Sequence, residues 1–427
     1  MWRLLYTLLL RAAAPFILVR LWWRGRREPG YRRRIGERFG RYKDGPLRRL
    51  GAAPTERPLL WVHAVSVGEA RAGAALVRAL GNANPGAEVL VTCMTAAGRE
   101  TLRELHGESV RVAWLPYDYP GAARRFLEYF RPRLGVLMET EIWPNLLAAC
   151  AAHGVPMLLA NARMSEKSAF GYLRWSALAR PALESLAVVC AQSEADAARL
   201  RALGARRVEV TGNVKFDSTP DEAKRREGEA WRARLARPVL LLASTRDGEE
   251  KLLLEALPAW DGKLLVLVVP RHLRRFDEVA GLSQSRRSRA PMPAAGDRVH
   301  LGDTMGEMDF YYAVADVAVI GGSFMPLGGQ NLIEACAAGT PVVLGPSMFN
   351  FAEATRLALQ AGAAVQAAGA AAAIRAALAL LADPGRSTAM GQAGRKLCEA
   401  HRGATQKHLL LCEELLRPPG VTAPTRD

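Results

Sequence analysis

Short apolar runs alternate with stretches in which apolar positions recur at helical spacing, from residue 58 almost to the end of the chain. Such alternation predicts parallel strands joined by crossover helices, because a strand buried on both faces reads as a continuous apolar run. PLLWVHAVS (58–66) is the first such strand, and VGEARAGAALVRAL is the helix after it. AEVLVTCMT, VRVAWLPYD, LGVLMETEIWPN, PMLLANARMS, AVVCAQSEADAARLRALG and VEVTGNVKFD repeat the scheme as far as Asp217. PVLLLASTRDGEE, LLVLVVPRHLRRF and VHLGDTMGEMDFYYAVADVAVI carry it into a second half, with a disordered connection expected over 283–297. From Phe351 to about Leu416 the chain reads as alanine-rich helix.

The segment 317–350, VAVIGGSFMPLGGQNLIEACAAGTPVVLGPSMFN, is the densest piece of this pattern. An apolar strand breaks into a loop with Gly321, Gly322, Gly328 and Gly329, a short helix follows, and Gly339 and Pro341 stop it before the next strand. Exposed N–H groups at such a helix start bind phosphate, and Glu334 is placed to accept from ribose hydroxyls. An ordinary βα turn is the alternative, since the pattern is neither a Walker loop nor GxGxxG.

Other chemistry gathers at strand ends, where open α/β sheets bind ligands. Ser66, Gly68 and Glu69 follow the first strand. Glu69 reads either as a favourable partner of the helix dipole or as a general base. Glu139 and Glu141 follow another strand, beside Trp143, and face one cleft only if the chain leaves the pleat there. Lys215 is either a surface lysine or a point charge facing phosphate or carboxylate.

Charge changes the picture at the N-terminus. The chain holds 58 Lys and Arg against 42 Asp and Glu, and residues 1–57 alone hold 15 against 4. MWRLLYTLLLRAAAPFILVRLWW is apolar but interrupted by Arg3, Arg11 and Arg20, and a polybasic stretch follows Trp22 and Trp23. That order suits an anchor on an anionic membrane face, spanning it or lying in it. A nucleic-acid arm is the competing reading, disfavoured by so many leucines and tryptophans. The 6 scattered cysteines form no CxxC and no histidine cluster, which predicts neither a disulfide framework nor a zinc site.

The predicted architecture is α/β, two doubly wound Rossmann-like domains facing a central cleft, the GT-B plan, with an N-terminal membrane-anchoring segment. Its expected parts are 1–57 as the anchoring segment, 58–216 as a first Rossmann-like domain and 217–237 as a hinge that is part helical. A second Rossmann-like domain over 238–416 and a disordered tail over 417–427 complete it.

HAVSVGE (63–69), LPYDYPGAARRFL (115–127), METEIWPN (138–145), LANARMS (159–165), AQSEADAARLRALG (191–204) and TGNVKFD (211–217) together resemble the Kdo (3-deoxy-manno-octulosonic acid) transferases. So do VPRHLRRFDEV (269–279), LGDTMGEM (301–308), GGSFMPLGGQNLIEACAAGTPVVLGP (321–346) and FNF (349–351), in the same order. The resemblance implies an inverting, metal-independent transfer of Kdo from CMP-Kdo to the lipid A precursor. It needs no cofactor and no nucleic acid, and runs on the cytoplasmic face of the inner membrane. It implies Glu69 as the base, with Glu139 and Lys215 stabilising the transition state. It assigns the donor to Pro270, Arg271, Met305, Gly306, Glu307, Asn331, Leu332, Ile333 and Glu334. Two departures stand out: Gln330 replaces the histidine of the usual GGHN, and Arg246 and Asp247 stand in the segment often written ASTHEGEE. A transferase using a UDP-sugar on a lipid acceptor, and a basic membrane- or nucleic-acid-binding protein without catalysis, are the rival readings.

Overall fold

The structure, a computed structural model, describes residues 1–42, 57–257 and 263–417. It comprises two compact units. One holds Met1–Asp217 and the chain from Gly403 onward, the other Ser218–Arg402.

In the first unit the strands are β1 (Leu59–His63), β2 (Glu88–Cys93), β3 (Arg111–Trp114), β4 (Pro132–Met138), β5 (Met157–Ala162), β6 (Val188–Ala191) and β7 (Val208–Val210). They form one sheet in the order β3-β2-β1-β4-β5-β6-β7, every neighbour parallel. All of β1 is buried, as its unbroken apolar run requires. The order reverses between β1 and β4, so a crevice opens at their carboxyl ends.

The second unit repeats the plan with β8 (Val239–Thr245), β9 (Leu265–Pro270), β10 (Ser285–Arg286), β11 (Val299–Leu301), β12 (Val317–Ile320), β13 (Val342–Leu344) and β14 (Ala364–Gln366). Their order is β10-β11-β9-β8-β12-β13-β14, again all parallel, with the reversal between β8 and β12. Both units are thus Rossmann-like, as the alternation predicted.

Three boundaries differ from those expected. Residues 217–237 hold the helix expected within the hinge, but from Ser218 on they belong to the second unit: Asp221 accepts from the N–H groups of Ala223 and Lys224 and caps the helix Glu222–Ala233. That helix buries Trp231 against Phe310, within the second unit. The connection 283–297 is ordered, with β10 paired to β11 and Trp231 donating to the Pro291 carbonyl. Residues 351–416 hold β14 between helices, and the last helix, Ala404–Leu416, leaves the second unit and packs on the first. Its Leu409 and Cys412 share a core with Leu76, Leu80 and Val136. Residues 418–427 of the expected tail, and 43–56 of the expected anchoring segment, lie outside the described residues.

Asp217 fixes that returning helix. Its two carboxylate oxygens accept from Gly403 N at 2.6 Å and Thr405 N at 2.5 Å, the work of an N-cap done by a residue far away in sequence. On the same helix, His408 is fully buried and accepts the Asn161 N–H through Nε2 at 2.9 Å. Nδ1 therefore carries the proton and donates to the Ala404 carbonyl, and burial lowers the pKa in keeping with a neutral ring.

The N-terminal helix Trp2–Arg27 contains Pro15 and leaves Leu4, Leu8, Leu9, Phe16, Val19, Trp22 and Trp23 exposed. Among the described residues it is the one helix long and apolar enough to cross a membrane. At about 1.5 Å per residue it exceeds the roughly 30 Å hydrocarbon core.

Asp217→Ala is expected to cost about 1–2 kcal/mol, because two N–H groups lose their acceptor. The accompanying sign is faster amide exchange confined to 404–416 and the strand end at Asn161. Uniform loss of protection across the chain would contradict this local role.

Candidate active site

Glu69 lies one turn into the helix Val67–Ala83, straight after β1. The N-cap is Ser66, whose hydroxyl accepts the Glu69 N–H and donates to Glu69 Oε1 at 3.0 Å. Oε2 accepts from Val65 N at 2.8 Å. This is a capping box in which the acid reaches back one residue further than usual. Both readings of Glu69 are thereby compatible, because each oxygen keeps a second lone pair for a ligand. Burial pushes its pKa up to about 8. The Val65 and Ser66 hydrogen bonds pull the other way, and the charges of Glu139 and Glu141 push it further up.

Across the β1–β4 reversal, the chain leaves the pleat at Glu139, whose φ is +62°. A non-glycine residue held there stores strain, of the order of 1–3 kcal/mol, and must be fixed by its surroundings. Its N–H donates to Ala160 O at 2.8 Å, and its Oε1 takes a 3.0 Å hydrogen bond from Lys215 Nζ, both side chains mostly buried. Glu141 accepts from Trp143 Nε1 at 2.7 Å, and burial raises its pKa, with Glu139 adding to the rise. Glu69, Glu139 and Lys215, widely spaced in sequence, are therefore brought to one end of one sheet. Lys215 is not a surface lysine.

Asp118, from the LPYDYP motif, holds the next part of the METEIWPN motif. Its carboxylate accepts from Asn145 N at 3.0 Å and Leu146 N at 2.7 Å. Asn145 Nδ2 in turn donates to Thr7 Oγ1 at 3.0 Å, and Tyr119 donates to the Leu10 carbonyl. The N-terminal helix is thus tied to the segment that carries Glu139 and Glu141. Sequence reading missed this, although two motifs sharing one role leave a signal in an aspartate set between prolines.

In the second unit the donor candidates follow β9, β11 and β12. Pro270 ends β9 and is buried, and Arg271 donates its N–H to the Thr245 carbonyl at 2.9 Å. Met305 is exposed and Gly306 turns with φ +76°. Burial works against ionisation of Glu307, but the forked hydrogen bonds from Arg287 and the Thr304 hydroxyl hold its pKa low. Leu332 and Ile333 are buried to 1% and 2% exposure, so their side chains are closed off from any ligand. Asn331 Oδ1 accepts from Ile333 N, and Asn331 Nδ2 donates to Glu334 Oε1 at 2.9 Å, making the two candidates one hydrogen-bonded pair.

The glycine loop differs from a bare phosphate cradle. The fully buried Glu249 accepts from Arg246 N, Gly322 N and Phe324 N, at 2.9, 2.6 and 2.9 Å. Gly329 N and Gln330 N donate to the Gly322 and Gly321 carbonyls. Much of the donor capacity expected of this loop is spent holding its own shape. Gly321 is required here, since a Cβ would fall 2.5 Å from the Cα of Thr245 at the end of β8.

Residues 33–218 match the family described as 3-deoxy-D-manno-octulosonic-acid transferase (kdotransferase). A 3-deoxy-D-manno-octulosonic acid transferase of Bordetella pertussis is 48% identical, over 97% of this chain and 100% of its own. One of Haemophilus influenzae is 34% identical, over 98% and 99%. A solved glycosyltransferase from Rickettsia africae is 14% identical and covers 85% of this chain and 99% of its own, with a TM-score of 0.59, a likeness of fold alone. Paired Rossmann-like units with ionisable groups at their strand ends, and these relatives, define a glycosyltransferase of the GT-B type. The chain belongs to the Kdo transferase family, whose members act in lipopolysaccharide biosynthesis.

The raised pKa of Glu69 has a stability consequence. Between its ordinary value of 4.5 and about 8, the folded protein keeps a proton that the unfolded chain has lost. Stability then falls as pH rises through that window, with a slope of at most about 1.4 kcal/mol per pH unit. Glu69→Gln should flatten the decline of Tm between pH 5 and pH 8, as measured by thermal unfolding. Parallel curves for both proteins would show that Glu69 is not perturbed.

Proposed function

We propose that the chain transfers Kdo from CMP-Kdo to a hydroxyl of the lipid A precursor, with inversion and without a metal, and that Glu69 is the general base. The observation that carries this reading is that Glu69 and the Lys215–Glu139 pair sit at the same end of one sheet, beside the β1–β4 reversal, with the Glu139 charge acting on Glu69. In the reaction the acceptor oxygen bonds to the anomeric carbon while the bond from that carbon to the CMP phosphate breaks. The acceptor proton passes to Glu69, and CMP leaves with the electron pair. A carboxyl titrating near 8 is a stronger base than an ordinary glutamate, yet still ionised in part at neutral pH.

Lys215 holds Glu139 in place and keeps a positive charge beside the acids, which suits an oxocarbenium-like centre flanked by a departing phosphate. No covalent intermediate is needed for a single displacement. The second unit supplies the donor groups. Backbone atoms of Leu332 and Ile333, the Asn331–Glu334 pair and the Arg271 backbone turn all lie at the ends of β9 and β12, the place where nucleotides bind in such sheets. Pro270, Met305, Gly306 and Glu307 complete that set. The described residues include no group of three or more His, Cys, Asp or Glu side chains arranged to hold a metal. The Trp2–Arg27 helix, with its basic sequel, is the anchor to the cytoplasmic face of the inner membrane, and its tie to Asn145 holds the reaction centre near the lipid acceptor.

The test is product mass after incubation with CMP-Kdo and tetraacylated lipid A precursor, with EDTA and with Glu69→Gln. Wild type should gain Kdo regardless of EDTA, and the mutant should lose about 10²–10⁴ of the rate. Because the base must be ionised, kcat/KM should climb with pH and level off above about 8. A flat profile, or an active mutant, would remove Glu69 as base, whereas no Kdo gain at all would remove the donor assignment.

A further inference from the structure

We infer that the first unit carries a second ligand site, for a phosphate monoester, built around Arg99 at the foot of the N-terminal helix. It shares no residue with Glu69, Glu139 and Lys215 and does not depend on which sugar is transferred. A cavity of about 70 Å³ is lined by Arg33, Arg34, Arg99, Glu100, Arg103 and Trp114. A single water needs only about 10–15 Å³ on this measure, so there is room for a larger polar guest.

Arg99 makes the cavity a site rather than a gap. Its side chain is 6% exposed, and its Nε and Nη2 make no hydrogen bond among the described residues. The nearest carboxylate, Glu37, lies 3.6 Å from Nη2, beyond hydrogen-bond reach. Glu37 is already shared, accepting from Trp114 N at 2.9 Å through one oxygen and from Arg34 Nη1 at 3.3 Å through the other. Glu100 is occupied as well, 3.4 Å from Arg103 Nη1. Two acids thus stand against Arg33, Arg34, Arg99 and Arg103, while Arg38 and Arg99 both lie over the Trp114 ring, 3.9 and 4.8 Å from its centre, which leaves the Arg99 N–H donors unused. Burial lowers the Arg99 pKa, Glu37 and Cys93 oppose this, and Arg103 and Arg34 add to the lowering.

A phosphate monoester fits this deficit in charge and geometry. It brings close to two negative charges and three acceptor oxygens, and a guanidinium presents parallel N–H donors that match two of them. The position is also informative. The neighbouring Arg32 donates to the Trp22 carbonyl, and Arg26 and Arg32 lie over the Trp22 ring, 4.4 and 5.6 Å from its centre. Tryptophans at the end of an apolar helix sit at the headgroup level of a membrane. The phosphate monoester is therefore either lipid-borne or free.

Full-length protein in neutral detergent would be titrated calorimetrically with inorganic phosphate at constant ionic strength, and floated with vesicles containing phosphatidic acid or charge-matched phosphatidylglycerol. Arg99→Met removes the buried donors. Arg103→Gln, at the 45% exposed rim, keeps the test valid if the buried change harms folding. Saturable phosphate binding that weakens at least tenfold in Arg103→Gln supports the site. A severalfold preference for phosphatidic acid that the variants lose assigns it to a lipid-borne ligand. Free-phosphate binding lost in the variants, with no lipid preference, assigns it to the free anion. Neither binding nor preference in the wild type, or variants that match it, would overturn the proposal.

Discussion

A backbone N–H at the exit of a parallel strand has left its ladder and lies too deep for water, so it must find another acceptor. Buried carboxylates meet this need throughout the molecule. Glu249 takes three such groups at the ends of β8 and β12, and Asp196 takes Met164 N, while Asp118 and the part-buried Asp217 do the same for N–H groups at helix starts, Asn145 and Leu146 in one case and Gly403 and Thr405 in the other. Charged acceptors make stronger bonds than carbonyls, which is why a few acids can hold long irregular loops. The positions of the catalytic candidates depend on these ties.

The same constraint explains where the strain lies. Glu139, Asn161 and Ser244 adopt positive φ at strand ends in the two sheets, at +62°, +52° and +54°. Each turns a side chain out of the alternation that a continuing strand would impose. At Glu139 this lets the acid reach Lys215, and at Asn161 it lets the N–H reach His408. Without the pinned loops around them, these conformations would relax and the acids would disperse.

Strands read well from the sequence because burial on both faces writes itself as an apolar run. The Glu69 turn was legible too, since an apolar strand running into a helical pattern places Ser66 and Glu69 at the strand's carboxyl end. Partners were not. Nothing near Ala404–Leu416 says that Leu409 belongs with Leu76 and Leu80, because an apolar helix face fits either unit and only the whole packing decides. The glycine loop was read as a set of open donors for the same reason. Glu249, which occupies them, lies 73 residues before Gly322. Met305 is exposed while Leu332 and Ile333 are buried, a distinction that motif matching does not carry.

The return of the chain at Gly403 sets an order on synthesis. The unit Ser218–Arg402 is continuous and is complete in the nascent chain before the first unit is. Although most of the first unit is made earlier, it waits for the last helix. Until then Asp217 has no N–H groups to cap, and Asn161 lacks its histidine. A ribosome stalled shortly before residue 404 would hold a chain with every candidate catalytic residue present and one strand end still loose. The first unit is therefore completed only by the last stretch of chain to be made, although the rest of it has existed since before the second unit began.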